Sequence, residues 1–215
     1  MQGKRTIWGG LLLLGWATFL HGGVVQAQEG RKTMLELDLL TRYNPIGLAW
    51  MVNGYIRETY AYSEEHGVAS GYYQGGVLAG ISPCYGQVGI YGEWLPLIFL
   101  SIRGEYDVLG YFGAFGAILS YPDREAYFGP QAQEDREGEE SSGLGQRLLL
   151  QVTLRAKVGW LYLRNQTDLA YYRYYGEGPY IHEWEYDTLL RPSDGLVANR
   201  LHALAAVWRG EGDAL

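Results

Sequence analysis

From Leu148 to Val158 the chain alternates residue by residue. Gln151, Thr153, Arg155 and Lys157 fall on one side, and Leu148, Leu150, Val152, Leu154, Ala156 and Val158 on the other. Only an extended strand sends successive side chains to opposite faces; a helix would mix the two sets around its axis. The next segment repeats the pattern, with Tyr162, Arg164, Gln166 and Asp168 set against Leu161, Leu163 and Leu169. A tight turn at Val158-Gly159 would pair Lys157 with Trp160, Arg155 with Tyr162 and Thr153 with Arg164, so that both polar faces coincide. Two further segments behave alike. Ser101, Arg103, Glu105 and Asp107 alternate with Leu100, Ile102, Gly104, Tyr106 and Val108, and Glu183, Glu185 and Asp187 alternate with Trp184, Tyr186 and Thr188.

A soluble β-sandwich also alternates, with its polar face in water. The character of the apolar residues points elsewhere. The chain has 19 Tyr and 7 Trp, and they gather near strand ends, as at Tyr171, Tyr172, Tyr174, Tyr175, Tyr180 and Trp184. Amphipathic rings at that spacing suit the two interfaces of a membrane.

The N-terminus has the layout of a secretory signal. Lys4 and Arg5 precede an apolar core from Ile7 to Leu20, and Val25-Gln26-Ala27 supplies small residues for cleavage after Ala27. An uncleaved anchor helix is the alternative, weakened by His21 and the glycines of this stretch. Loss of Lys4 and Arg5 moves the formal charge from -7 to -9. Such acidity argues against a nucleic-acid partner, whose recognition needs a basic surface. The single cysteine, Cys84, has no intramolecular partner for a disulfide and reads as a small buried or lipid-facing residue.

Residues 28–215 form one domain, with neither a linker nor a fixed-period repeat. Val68 to Gly92 carries no charge, but its glycines and the Ser82-Pro83-Cys84-Tyr85-Gly86 break fit two strands and a turn. The pattern predicts ten strands, at 33–43, 46–61, 68–82, 86–95, 97–109, 111–121, 147–157, 160–173, 180–190 and 196–208.

Signal, alternation and aromatic ends together resemble the bacterial outer-membrane β-barrel proteins as a broad class, over residues 33–208. That resemblance implies an all-β fold, an antiparallel up-and-down transmembrane β-barrel in the outer membrane of a Gram-negative bacterium. It also implies outer-membrane lipid and lipopolysaccharide as surroundings and the barrel-assembly machinery as a partner. It brings no functional residues with it and leaves the oligomeric state open.

Such barrels keep short turns on the periplasmic side, so the long acidic loop from Pro122 to Gln146 is expected to face outward. Ten strands would then start the first one outside, against delivery of the N-terminus to the periplasm, and one strand near the N-terminus is therefore misassigned or missing. The end of the chain, Val207 to Leu215, reads as a turn entering another strand. This predicts a C-terminally truncated barrel of about a dozen strands, within the range such proteins use.

Catalytic patterns are thin. A membrane-embedded acyl hydrolase needs His and Ser together, commonly two apart on a strand, but the residues two beyond His66, His182 and His202 are Val68, Trp184 and Leu204. The run Glu134 to Glu140 lacks the ligand spacing of a calcium loop and reads as solvated, and Gly75-Gly76 reads as relief of crowding. No cofactor or metal is expected. The candidate functional surface is a lumen lined by Arg103, Glu105, Asp107, Arg155, Lys157, Arg164, Asp168, Glu183, Glu185, Asp187 and Arg200. In a narrow barrel such residues pair and fill the interior; in a wider, porin-like one they line water. A four-residue turn at Arg191 to Asp194 would set Glu185 opposite Arg200 and Glu183 opposite His202. Three functions follow: a structural or passive-pore barrel without enzyme activity, a lipid- or glycan-modifying membrane enzyme with part of its site elsewhere, and a secreted periplasmic β-protein that binds a small ligand.

Overall fold

The computed structural model describes residues 18–22, 30–43, 46–63, 68–113, 118–175, 178–183, 185–186 and 188–205. The chain is all-β and antiparallel. Its main sheet contains β1 (Thr18–Gly22), β2 (Gly30–Tyr43), β3 (Ile46–Ser63), β4 (Val68–Ile81), β5 (Tyr85–Leu97) and β6 (Leu100–Phe112), followed by β8 (Ser142–Val158), β9 (Leu161–Tyr175) and β12 (Ser193–Ala205). Strands β7 (Ser120–Tyr121), β10 (Tyr180–Glu183) and β11 (Thr188–Leu190) make a second sheet of three, and α1 (Pro130–Glu134) is one short turn of helix. Each long strand pairs with its predecessor in the main sheet, and β1 and β12 are the two edges among the described residues.

The sheet is strongly curled. Glu36 and Asp38 of β2 line the same cleft as Arg147 of β8, five strand spacings away, or about 24 Å if the sheet were flat. The concave face carries the polar side chains and the convex face the apolar ones.

Several sequence expectations change. The predicted strand 111–121 is not one: Tyr111 and Phe112 finish β6, and the chain leaves the sheet at Gly113, φ +64°. A Cβ there would lie 2.9 Å from the Ser142 amide nitrogen, so glycine permits the exit. The predicted strand 180–190 breaks into β10 and β11, and Arg200 pairs in register with Gln166, His202 with Arg164, in place of Glu185 and Glu183. The hairpin turn after β8 is Gly159-Trp160, which sets Lys157 opposite Tyr162 and Arg155 opposite Arg164. This register differs from the expected one by an even number of residues, so both faces keep their identity.

One predicted strand is thus lost from the middle of the chain, while β1 (Thr18–Gly22) adds a short strand ahead of the first predicted one, within the stretch read as the signal. Eight long strands run from Gly30 to Ala205, and both of those residues lie at one rim, together with the turns at Ile98-Phe99 and Gly159-Trp160. The other rim carries the segments 113–141 and 176–192. The proposed cleavage site at Ala27, the residues from 206 onward, Trp184 and Asp187 lie outside the described residues.

Exposure follows the two faces. Outward residues such as Ile90 (61 %), Leu148 (59 %) and Val197 (70 %) are in the open, whereas inward Asp107 (0 %) and Asp168 (1 %) are fully covered. Exposed rings flank the aliphatic band. Tyr60 stacks on Tyr73 at 5.3 Å and accepts from Trp94 Nε1 at 3.2 Å near the short-turn rim, where Phe99 and Trp160 are also exposed. Trp50, Phe112, Tyr171 and Tyr175 are exposed toward the other. Tyr172 and Tyr174, expected in this belt, instead point inward and are buried.

Candidate functional site: the charged interior

Inward positions in β5, β6, β8, β9 and β12 build one chain of opposite charges. Arg103 Nη2 lies 2.5 Å from Glu105 Oε2 and its Nη1 4.0 Å from Glu93 Oε2, while its guanidinium covers the Tyr91 ring at 3.7 Å. Arg147 is the hub. Its Nη2 donates to Glu105 Oε1 at 2.7 Å, its Nε to Asp107 Oδ2 at 2.8 Å and its Nη1 to Glu185 Oε2. Glu185 also faces Arg200 at 3.9 Å, and Arg200 Nη2 donates to Asp168 Oδ2. Buried charges are tolerable only when paired and hydrogen-bonded, and here neutral amides complete the sets. Gln87 donates to Asp107 at 3.1 Å; Gln151 and Gln166 donate to Asp168 at 3.0 and 3.1 Å, and the Tyr186 hydroxyl does so at 3.1 Å.

Six of the sequence candidates therefore meet: Arg103, Glu105, Asp107, Asp168, Glu185 and Arg200. Glu183 is buried apart from them, accepting the Tyr186 amide at 2.8 Å, and burial pushes its carboxyl up to about 7, helped by the neighbouring Glu185. Arg155 and Arg164 face each other nearer the short-turn rim, and Lys157 is exposed there. The sequence reading missed Arg147, although it shares its parity with Gln151, Thr153 and Arg155.

It also missed the polar residues of the early strands. On that side the curled sheet encloses a cleft of about 370 Å³, lined by Glu36, Asp38, Asn53, Arg57, Gln74, Glu93 and the Arg103–Glu105–Arg147 group among others. The partners within it are again local. The Tyr55 hydroxyl donates to Glu36 at 2.6 Å, Arg57 Nε to Gln74 Oε1 at 2.7 Å, and the Tyr72 hydroxyl to Glu93 at 2.7 Å.

Toward the long-loop rim the interior turns apolar and is covered. Ile181 and Leu190 of the small sheet, with Ile118, pack on Leu109, Tyr111, Leu149, Tyr172 and Tyr174 of the main sheet, and half-buried Cys84 joins them. On its other side Leu119, Tyr121 and Leu189 meet Phe128 and Tyr180. The small sheet is thus a lid with two apolar faces, and Glu185 sits on its β10–β11 connection.

Within the lid Gln133 Nε2 is 3.4 Å from His182 Nδ1, and the Phe128 ring lies 5.0 Å from the imidazole. In the acidic loop Arg136 pairs with Glu139, and the Gly138 amide donates to Glu140. Among the described residues no group of three or more His, Cys, Asp or Glu is placed to hold a metal ion. Comparison of the chain with protein-family models, curated proteins and solved structures finds no match.

Proposed function

We propose that this chain is an outer-membrane β-barrel with a closed interior, serving a structural role in the cell envelope of a Gram-negative bacterium. The observation that carries the reading is the inverted exposure: apolar side chains in the open on the convex face, ion pairs buried on the concave one. In water that arrangement leaves a very large apolar surface exposed, whereas in lipid it is the stable one. The rings flanking the aliphatic band fit the two interfaces. The direction of the strands agrees as well, because Gly30 lies at the short-turn rim, the periplasmic one in such barrels, and the segments 113–141 and 176–192 then face outward toward lipopolysaccharide. Delivery would run through the secretory signal and the barrel-assembly machinery.

Strand number favours closure over a pore. Eight strands enclose a space that side chains fill, while aqueous channels need about sixteen. The Arg147 network and the lid occupy the interior accordingly.

The test is membrane fractionation with heat-modifiable gel migration, followed by reconstitution into planar bilayers. An outer-membrane protein that migrates faster unheated and gives no steady conductance fits the proposal. Steady conductance would replace the closed interior by a pore, and a soluble periplasmic protein would overturn the barrel itself.

A further inference from the structure

We propose that the inner face near the short-turn rim is a binding site for a phosphate-class dianion, held between Arg155 of β8 and Arg164 of β9. The two arginines are direct cross-strand partners on the same face, which brings their Cβ atoms to about 5 Å. His202 is the register partner of Arg164 on its other side, and Lys157 follows Arg155 two residues on along the same face. Like charges directly opposite each other destabilise a sheet. Their presence stands out in a chain of formal charge -7, which has carboxylates to spare and uses them to neutralise every arginine of the neighbouring network.

Here none pairs directly; Glu93 acts on Arg164 only at longer range and is itself held by Tyr72 and Gln74. Among the described residues no carboxylate lies within ion-pair distance of Arg155 or Arg164. The side-chain bond of Arg164 goes from Nη2 to the neutral Gln166 Oε1 at 2.6 Å, and its Nε is buried without a partner. A buried, unpartnered N–H of a cation calls for an acceptor. Two guanidinium forks set side by side match the geometry and charge of a doubly ionised phosphate better than those of a single carboxylate. Free phosphate and the phosphate of a lipid headgroup share that chemistry. Gln166 links the site to Asp168 at the edge of the Arg147 network, and the site does not depend on whether the barrel spans a membrane.

The test is the thermal midpoint of the purified full-length chain, titrated with inorganic phosphate against sodium chloride of equal ionic strength. A second arm uses micelles of short-chain phosphatidic acid. Phosphate should raise the midpoint saturably and chloride should not. Arg155→Gln and Arg164→Gln should each weaken the phosphate response about tenfold, while Arg136→Gln, in the acidic loop, should leave it intact. In phosphate-free buffer Arg155→Gln should raise the midpoint, since it removes the repulsion. A larger response to phosphatidic acid than to equal inorganic phosphate assigns the site to a headgroup, and an equal one assigns it to the free ion. An equal effect of chloride, or a phosphate response unchanged in both arginine variants, overturns the proposal.

Discussion

Arg147, on the wall of the sheet, donates to Glu185, on the lid. The same guanidinium holds Glu105 and Asp107, so one buried cation ties the lid to the strands beneath it. Arg147→Met should therefore cost about 3 to 5 kcal/mol, because buried Asp107 loses its only cation and Glu105 keeps Arg103 alone. Glu185→Gln, at a carboxylate that is partly exposed, should cost about 1 kcal/mol or less. It should also loosen the lid, read as faster proteolysis within 178–192 with at most a small fall in the global midpoint. Equal stability losses for the two variants would place the hub elsewhere.

Arg200 offers two carboxylates for comparison. Asp168 is fully buried and hydrogen-bonded to it, whereas Glu185 stands 3.9 Å away and is partly exposed. Double-mutant cycles on thermal stability should give a coupling of Arg200 with Asp168 of about 2 kcal/mol and with Glu185 below about 1 kcal/mol. The reverse order would contradict the geometry.

The pH dependence of the lid rests on Glu183, whose carboxyl is raised by burial from 4.5 to about 7. The folded lid favours the protonated acid, so this group's contribution is fully present below pH 4.5 and is lost as pH rises through about 7. Glu183→Gln mimics the protonated form and can still accept the Tyr186 amide. The variant should match the parent near pH 4 and exceed it at pH 8, by up to about 3 kcal/mol, in paired thermal melts across that range.

Asp107 reaches Arg147 through the space left by a glycine on the adjacent strand. A Cβ on Gly89 would collide with Asp107 Oδ1 and lie 2.8 Å from the Tyr106 carbonyl oxygen. Gly89→Ala should cost about 1 to 3 kcal/mol, and more than Gly104→Ala on the open convex face, where a Cβ meets nothing within 4 Å. Denaturation of both variants side by side measures the difference.

The two faces separate by arginine scanning. Leu150→Arg and Ile90→Arg should impair assembly by about 2 to 4 kcal/mol if the convex face meets lipid. Asn53→Arg should be tolerated, since it enters the open cleft beside Asp38, to which Asn53 now donates at 3.3 Å. The convex face also carries an amide pair, Asn165 with Asn199 at 3.0 Å, and its replacement by two leucines should leave assembly intact. Equal folded yields across these variants, measured by heat-modifiable migration, would remove the distinction between the faces.

The faces of β6, β8 and β9 were legible in the sequence because a period of two survives even an error of register. The hairpin turn was misplaced by one residue, yet Arg155, Gln166 and Asp168 kept their side. Arg147 was hidden by Leu149, an apolar residue on the polar face, which made the alternation look as though it began at Leu148. Residues 111–121 carry strand-like rings, but the glycine at 113 turns the chain away, and no propensity reports where a turned chain packs. Glu183, Glu185 and Asp187 alternate over too few residues to tell a ladder from a turn. Their meeting with Arg147 and Arg200 depends on the curl of the sheet, which is a long-range property.

Eight long strands return the chain to the rim from which it set out. If the convex face meets lipid as proposed, a reporter enzyme joined before Gly30 and one joined after Ala205 would sense the same compartment, and an epitope inserted at 123–125, in the exposed part of the loop between β7 and α1, would sense the opposite one. Labelling of whole cells could thus orient the molecule from two tags of one kind and one of the other, whatever the interior does.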